Sequence, residues 1–551
     1  MDLTDYALSG LAAAQARLAT ASHNLDNATT PGYNRQQVIT TSAGGVNAGS
    51  GYIGQGVSVQ TVQRSVSNFI NQQLNGAQTR ASALQTFGTQ IAQVNNLFAD
   101  RTVGLYPTLQ NFFSGIQGVA STPADPSARQ EALGSATALV GQFNSTNDFL
   151  NAQRADINGQ VQTTVNQINA SVARIQTLNQ QIVAATGNSG GQPPNDLLDA
   201  RDQEVADLNK LVNVTVYNQN GQYTVTVGNG QLLLAGGTQF NLVAAPSQSD
   251  PSETSVFASI PSGPGGVTSL SPISETTLSG GALGGLLTYR RETLDPVQQQ
   301  VGMLATGLAL SVNAVQTSGL DAEGNPGKPM FAIGNPGVIQ NAKNTGSATV
   351  SATLAANNAQ ALQPSNYTLS FDGTNYTITR NSDGSTLYRG ASVSGVPVDG
   401  TVLSVTGSAH AGDTWQIAPV QQGAGTIALA ISTGDQIAAA DSSGGSANGN
   451  NALAMAQLQS NKTLNGGLVS FSDAYSTLVN QVGEQTQQNT NDQTSQNSLV
   501  TQNYNAQQSV SGVNVDEEYV NIQQYQNQYQ AAAKLVQVSN TLFAALLGVF
   551  S

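Results

Sequence analysis

Apolar positions along this chain switch period several times, and each switch predicts an element. Near the start, Leu11, Leu18 and Leu25 recur at intervals of seven. Ala14, Ala21 and Ala28 fall three places after each leucine, and Ala7 four before the first. A seven-residue repeat with small residues interleaved predicts a helix pressed closely against another helix. At the far end, Val515, Ile522, Tyr529, Val536, Phe543 and Phe550 also recur every seven, with Tyr525, Ala532 and Leu546 in the intervening seam positions. Heptad seams at both ends predict that the ends pair with each other or with copies of the chain.

The first helix is expected to stop at Asp26-Asn27-Ala28-Thr29-Thr30-Pro31-Gly32-Tyr33. Pro31 cannot continue a helix and biases Thr30 away from helical geometry, while Gly32 suits a tight turn. Residues 39–62 alternate through Val57, Val59 and Thr61 among many glycines and read as extended. Three- and four-residue apolar steps predict helices over 65–99, 127–186 and 195–211. Alternation resumes on both sides of Asn220-Gly221, the signature of a hairpin. Helix returns over 283–317, broken early at Pro296. Tyr367, Leu369 and Phe371 alternate again, with turns at Asp372-Gly373 and Asp383-Gly384, and a Gln/Asn-rich helix over 468–508 leads into Ser511-Gly512 and the last seam.

This nesting predicts a mainly α fold with β insertions. Residues 1–60 and 511–551 form a paired, coiled-coil-like terminal helical domain. Residues 61–211, 281–332 and 421–510 form a helical rod-like bundle. Residues 212–280 are a β-hairpin-rich insertion and 333–420 a β-rich outer domain, both hanging outward.

Composition narrows the chemistry. Only 9% of the 551 residues are charged, against about 25% in typical domains, and the formal net charge is −14. With 18 Lys+Arg and no basic run, a phosphate-binding surface for nucleic acid is not expected. There is no cysteine, so neither disulfides nor thiolate sites are possible. Asp2 and Asp5 near the start do not read as a Sec-type signal, and no run of about 18 apolar residues suggests membrane insertion. The two histidines, His23 and His410, are far apart in sequence and suggest neither a metal site nor a triad. Asp516-Glu517-Glu518 reads as the negative start of the last helix, where it complements the helix dipole. Asp321-Ala322-Glu323-Gly324-Asn325 fails as a calcium loop, because Pro326 and Ala332 stand where Gly and a carboxylate are needed. No cofactor or metal is expected.

Two strings carry a family resemblance. Ala7-Leu8-Ser9-Gly10-Leu11, then Asn24, Asn27 and Thr30-Pro31-Gly32-Tyr33-Asn34-Arg35, resemble the N-terminal signature of the bacterial flagellar axial proteins: rod, hook and hook-associated. Ser511-Gly512-Val513-Asn514-Val515-Asp516-Glu517-Glu518, with Asn521, Tyr525-Gln526 and Tyr529-Gln530-Ala531-Ala532-Ala533-Lys534, resemble the ending of the hook-associated junction branch. The stretch from Leu294 to Phe331 resembles that branch too.

The resemblance implies a structural part of the extracellular flagellum that joins hook to filament by axial packing of its terminal helices. It implies export through the flagellar type III apparatus without a cleaved signal. It also implies four partners: copies of the chain in a ring or helical array, the hook protein, a second junction protein (hook-associated protein 3) and an export chaperone. The alternatives are another axial protein of hook or distal rod type, a different surface fibre or adhesin, and a cell-wall hydrolase. The hydrolase would need a paired-carboxylate cleft, for which no motif is present.

Overall fold

The computed structural model describes residues 3–47, 49, 51–99, 104–260, 269–356 and 358–550. Helix α1 (Leu3–Asp26) is followed by strands β1 (Gln36–Ser42), β2 (Gly45–Asn47), β3 (Tyr52–Gly54) and β4 (Val57–Arg64). β1 and β4 pair antiparallel, and β2–β3 form a small hairpin beyond them. Then come α2 (Asn68–Ala99), α3 (Leu105–Ser121), α4 (Pro126–Asn188) and α5 (Asn195–Leu211). α4 starts where Asp125 accepts a hydrogen bond from the Ser127 N–H and Pro126 occupies the first turn, the position where a proline costs least. Its apolar residues Leu150, Ile157, Val161, Val165, Ile168, Val172 and Ile175 form one fully buried stripe.

Two sheets follow. One contains β5 (Val214–Gln219), β6 (Gln222–Val227), β7 (Gln231–Ala235) and β8 (Thr238–Gln239). The other contains β9 (Leu242–Pro246), β10 (Thr254–Ile260) and β11 (Ser269–Pro272). Asn220 and Gly221 both have positive φ (53° and 84°), as the β5–β6 hairpin turn requires. The expectation that residues 212–280 hang outward is corrected. Val225, Leu233, Leu234 and Val256 belong to the same apolar cluster as the α4 stripe, so both sheets lie on the helical body.

Helix α6 (Gly281–Tyr289) passes through one π turn, Arg290–Leu294, into α7 (Asp295–Gln316). The expected break at Pro296 therefore does not occur. The widened turn ahead of Pro296 accommodates the missing N–H without ending the helix.

The outer unit has its own core. Its strands are β12 (Phe331–Ala332), β13 (Gly337–Gln340), β14 (Thr349–Leu354), β15 (Tyr367–Phe371), β16 (Tyr376–Arg380), β17 (Thr386–Gly390), β18 (Val396–Val398), β19 (Thr401–Thr406), β20 (Thr414–Ala418) and β21 (Ala428–Leu429). A five-stranded sheet, β13-β20-β15-β16-β17, faces a three-stranded sheet, β14-β19-β18, around Leu369, Ile378, Leu403 and Trp415. β12 and β21 pair at the base. The chain returns through α8 (Gly423–Thr426), α9 (Asn450–Gln457), α10 (Phe471–Ser511) and α11 (Val515–Phe550). α10 packs along α2, and α11 along α1.

The C-terminal helical run Phe471–Gly548 contains a stretch long and apolar enough, by length and composition alone, to cross a bilayer.

Candidate functional site: the paired termini and the turn that locks them

α1 and α11 lie antiparallel. The Thr4 and Ser539 hydroxyls are 2.7 Å apart, and the Arg17 guanidinium stands 6.0 Å from the Tyr525 ring centre. Arg35, beyond the end of α1, donates from Nε to Glu518 Oε1 at 2.7 Å and weakly to Glu517 at 3.4 Å. Its N–H also donates to the Ser511 carbonyl at 2.9 Å. Every one of these contacts joins the first 35 residues to the last 41.

The line of closest approach keeps part of the predicted seam on each helix: Ala7, Ala14 and Ala21 on α1, Tyr525 and Ala532 on α11. On α1 it is carried by Ala7, Ala14, Ala21 and Asn24, all buried, while Leu11, Leu18 and Leu25 are half-buried at its sides. On α11 it runs through Glu518, Tyr525, Ala532 and Ser539. Of the expected C-terminal seam, Ala532 is buried, and Ile522, Tyr525 and Val536 are half-buried. Val515, Tyr529, Phe543 and Leu546 are exposed, and the side chain of Phe550 lies outside the described residues. The heptad spacing is that of a helix packed on a helix, and it marks several parallel stripes. The stripe of small side chains wins because it lets the backbones approach, with Gly10 beside Ala532.

Residue 4 lies opposite 539 and residue 17 opposite 525, so Phe543 and Leu546 project past the first described residue of α1. Leu542, Phe543, Leu546 and Leu547 are each 54–59% exposed.

The turn after α1 is a hydrogen-bonded lock. Asn24, 1% exposed, accepts from the Gln36 N–H and donates to the Gln36 carbonyl, both at 2.9 Å. The Tyr33 hydroxyl donates to Asn24 Oδ1 at 2.7 Å. Burial, then the carboxylates Asp196 and Asp199, raise the Tyr33 hydroxyl above its ordinary range, so it stays a donor. Asn27 donates to the His23 carbonyl and accepts from the Thr30 hydroxyl, closing the turn ahead of the exposed Pro31. Asn34 reaches Asp199 through its N–H at 2.9 Å and its side-chain amide at 2.6 Å. Arg64 bridges Asp199 and Asp202 at 2.6 and 2.9 Å. Burial pushes the Asp199 carboxyl up, opposed by its bonds to Asn34 and Arg64. The turn is thereby fastened to α5.

Gly32 has φ +79°, and a Cβ there would meet Gln203 of α5 at 2.8–2.9 Å. Gly32→Ala is therefore expected to cost about 1–3 kcal/mol of local stability. Amide exchange over residues 24–36 should accelerate, while the outer β domain stays unchanged.

Sequence reasoning missed Glu518 as a partner of Arg35, and missed Arg64, Asp199 and Asp202 altogether. A signal was available: in so charge-poor a chain, Asp196, Asp199, Arg201, Asp202 and Glu204 crowd onto one short helix. Among the described residues, no three His, Cys, Asp or Glu side chains gather as a metal site.

Comparison with known proteins gives the chain's family. Residues 91–331 match the flagellar hook-associated protein FlgK helical domain. Residues 339–419 match the D2-like domain of flagellar hook-associated protein 1, and 506–549 the C-terminal domain of the flagellar basal body rod FlgEFG proteins. Flagellar hook-associated protein 1 of Salmonella typhimurium is 40% identical over 556 residues, covering 99% of each chain. That of Escherichia coli K12 is 38% identical over 550 residues, again 99% of each. The solved flagellar hook junction protein FlgK of Burkholderia pseudomallei superposes with TM-score 0.74 at 31% identity, covering 80% of this chain and all of that one. The chain belongs to the flagellar hook-associated protein 1 family, the structural proteins of the hook–filament junction.

Proposed function

We propose that the α1–α11 pair is the axial assembly element of the junction, and that the exposed apolar end of α11 is its main contact with neighbouring copies. The supporting observation is exposure: four large apolar side chains, Leu542, Phe543, Leu546 and Leu547, each stand more than half exposed near one end of α11. Exposed apolar patches of this kind mark interaction surfaces. A heterologous contact between copies generates rings or helical arrays, depending on whether the rotation closes. The hook protein lies on one side and the second junction protein, hook-associated protein 3, on the other. An export chaperone protects the chain before it leaves through the type III apparatus. The role is mechanical and includes no reaction.

The test is placement. Cells lacking this chain should carry hooks without filaments and lose filament subunits to the medium, and the intact chain should restore filaments. Gold-labelled antibody against the outer β domain should mark a single band between hook and filament. Label spread along the filament, or confined to the cell-proximal rod, overturns the assignment.

A further inference from the structure

A charge cluster joins the β9–β11 sheet to the helical body. Arg154 of α4 donates to Glu253 and to Asp295 at 2.6 Å each, and to Gln298 at 2.8 Å. Arg290, 1% exposed in the π turn, donates to Glu275 and, at 2.9 Å, to the Thr254 carbonyl. Asp250, 3% exposed, sits on the same loop as Glu253 and accepts from Ser252. Two guanidinium groups thus face four carboxylates. The loop bearing Asp250 and Glu253 also reaches the outer β domain, where the Ala342 N–H donates to the Gln248 carbonyl at 2.9 Å.

We propose that this cluster is a proton-responsive clamp, holding the 247–253 loop and its outer-domain contact more tightly in mildly acidic than in mildly alkaline surroundings. Carboxylates outnumber cations in a half-buried site, so one of them retains a proton close to neutrality. Glu253 is that group. Burial, then Asp295, push its carboxyl up to about 7, and Arg154 and Arg290 only partly oppose this. Burial raises Asp295 in the same direction. Asp250 adds further negative charge beside Glu253, and Glu275 faces Arg290. A carboxyl raised in the closed state from 4.5 to about 7 stabilises closure fully below 4.5. That stability is lost as pH rises through the window up to about 7.

The test is amide exchange in the full-length chain at pH 6 and pH 8, corrected for intrinsic rates, over residues 247–260 and at Ala342. Opening should be about tenfold more frequent at pH 8. Glu253→Gln, which keeps an acceptor for Arg154 without the titration, should exchange at the slow pH 6 level at both pH values. Glu292→Gln, on the exposed side of the π turn, should keep the wild-type dependence. Equal wild-type exchange at the two pH values overturns the proposal whatever the variants do. So does a pH dependence that survives in a folded Glu253→Gln.

Discussion

Phe543→Asp, and independently Leu546→Asp, should give chains that fold, are exported and fail to enter the flagellum. Both side chains are more than half exposed, so either substitution removes little packing within the single chain. Thermal unfolding should shift by less than about 0.5 kcal/mol. Assembly is different, because there the exposed apolar end of α11 would be covered by a neighbour. Each substitution then forfeits about 1.5–3 kcal/mol of apolar burial and adds the larger cost of a carboxylate without a partner. That loss recurs at every subunit of the array, which favours complete exclusion over a weakened junction. Lys534→Gln, on an exposed position two residues from the buried Ala532, should assemble and serves as the comparison. Electron microscopy of the mutant cells decides the matter: filaments of normal number on Phe543→Asp cells would remove this end of α11 from the assembly surface.

Arg35→Met should release the two ends from each other. Glu518 is 3% exposed at its side chain, and Arg35 is the cation that faces it. Removing the cation leaves a carboxylate buried alone, with an expected cost of about 2–4 kcal/mol after allowance for the partial exposure of Arg35. The outer β domain has its own core around Trp415 and should unfold as before. Amide exchange should therefore accelerate along α1 and the first half of α11 only. The double variant Arg35→Met/Glu518→Gln removes the orphaned charge and should recover most of the loss. If Arg35→Met leaves exchange at both ends unchanged, the Arg35–Glu518 pair is not what holds the termini together.

How the termini fold was partly legible in the sequence. Residues such as Leu11, Leu18 and Leu25 repeat with the period of a packed helix, and that period is a local property of the chain. Pro31 and Gly32 forbid helix beyond residue 30 by their own backbone restrictions, so a turn could be read there without any partner, although the helix stops earlier, at Asp26. The hairpin at Asn220-Gly221 and the separate β unit with Trp415 were legible for the same reason: alternation and turn chemistry act over a few residues. The family strings at both ends carried the functional reading, because their spelling is specific where composition is not.

The sequence alone could not say which stripe faces inward, since a heptad repeat places equivalent positions on several stripes at once. Only the packed pair separated Ala7, Ala14 and Ala21 from Leu11, Leu18 and Leu25 within the predicted seam, and added Glu518 and Ser539 to Tyr525 and Ala532, because backbone approach depends on both helices together. The same holds for every long-range polar contact. Glu518 reads as a helix-start residue until Arg35, 483 positions away, is placed beside it. Asp199 reads as an ordinary surface acid until Asn34 and Arg64 arrive from 165 and 135 positions away. The π turn that absorbs Pro296 and aims Arg290 inward depends on the sheet it packs against. Periodicity, turns and caps are set by neighbours in the chain and were determined by the sequence itself. Register, buried ion pairs and the exposed end of α11 depend on which distant surfaces meet, and only the tertiary structure decided them.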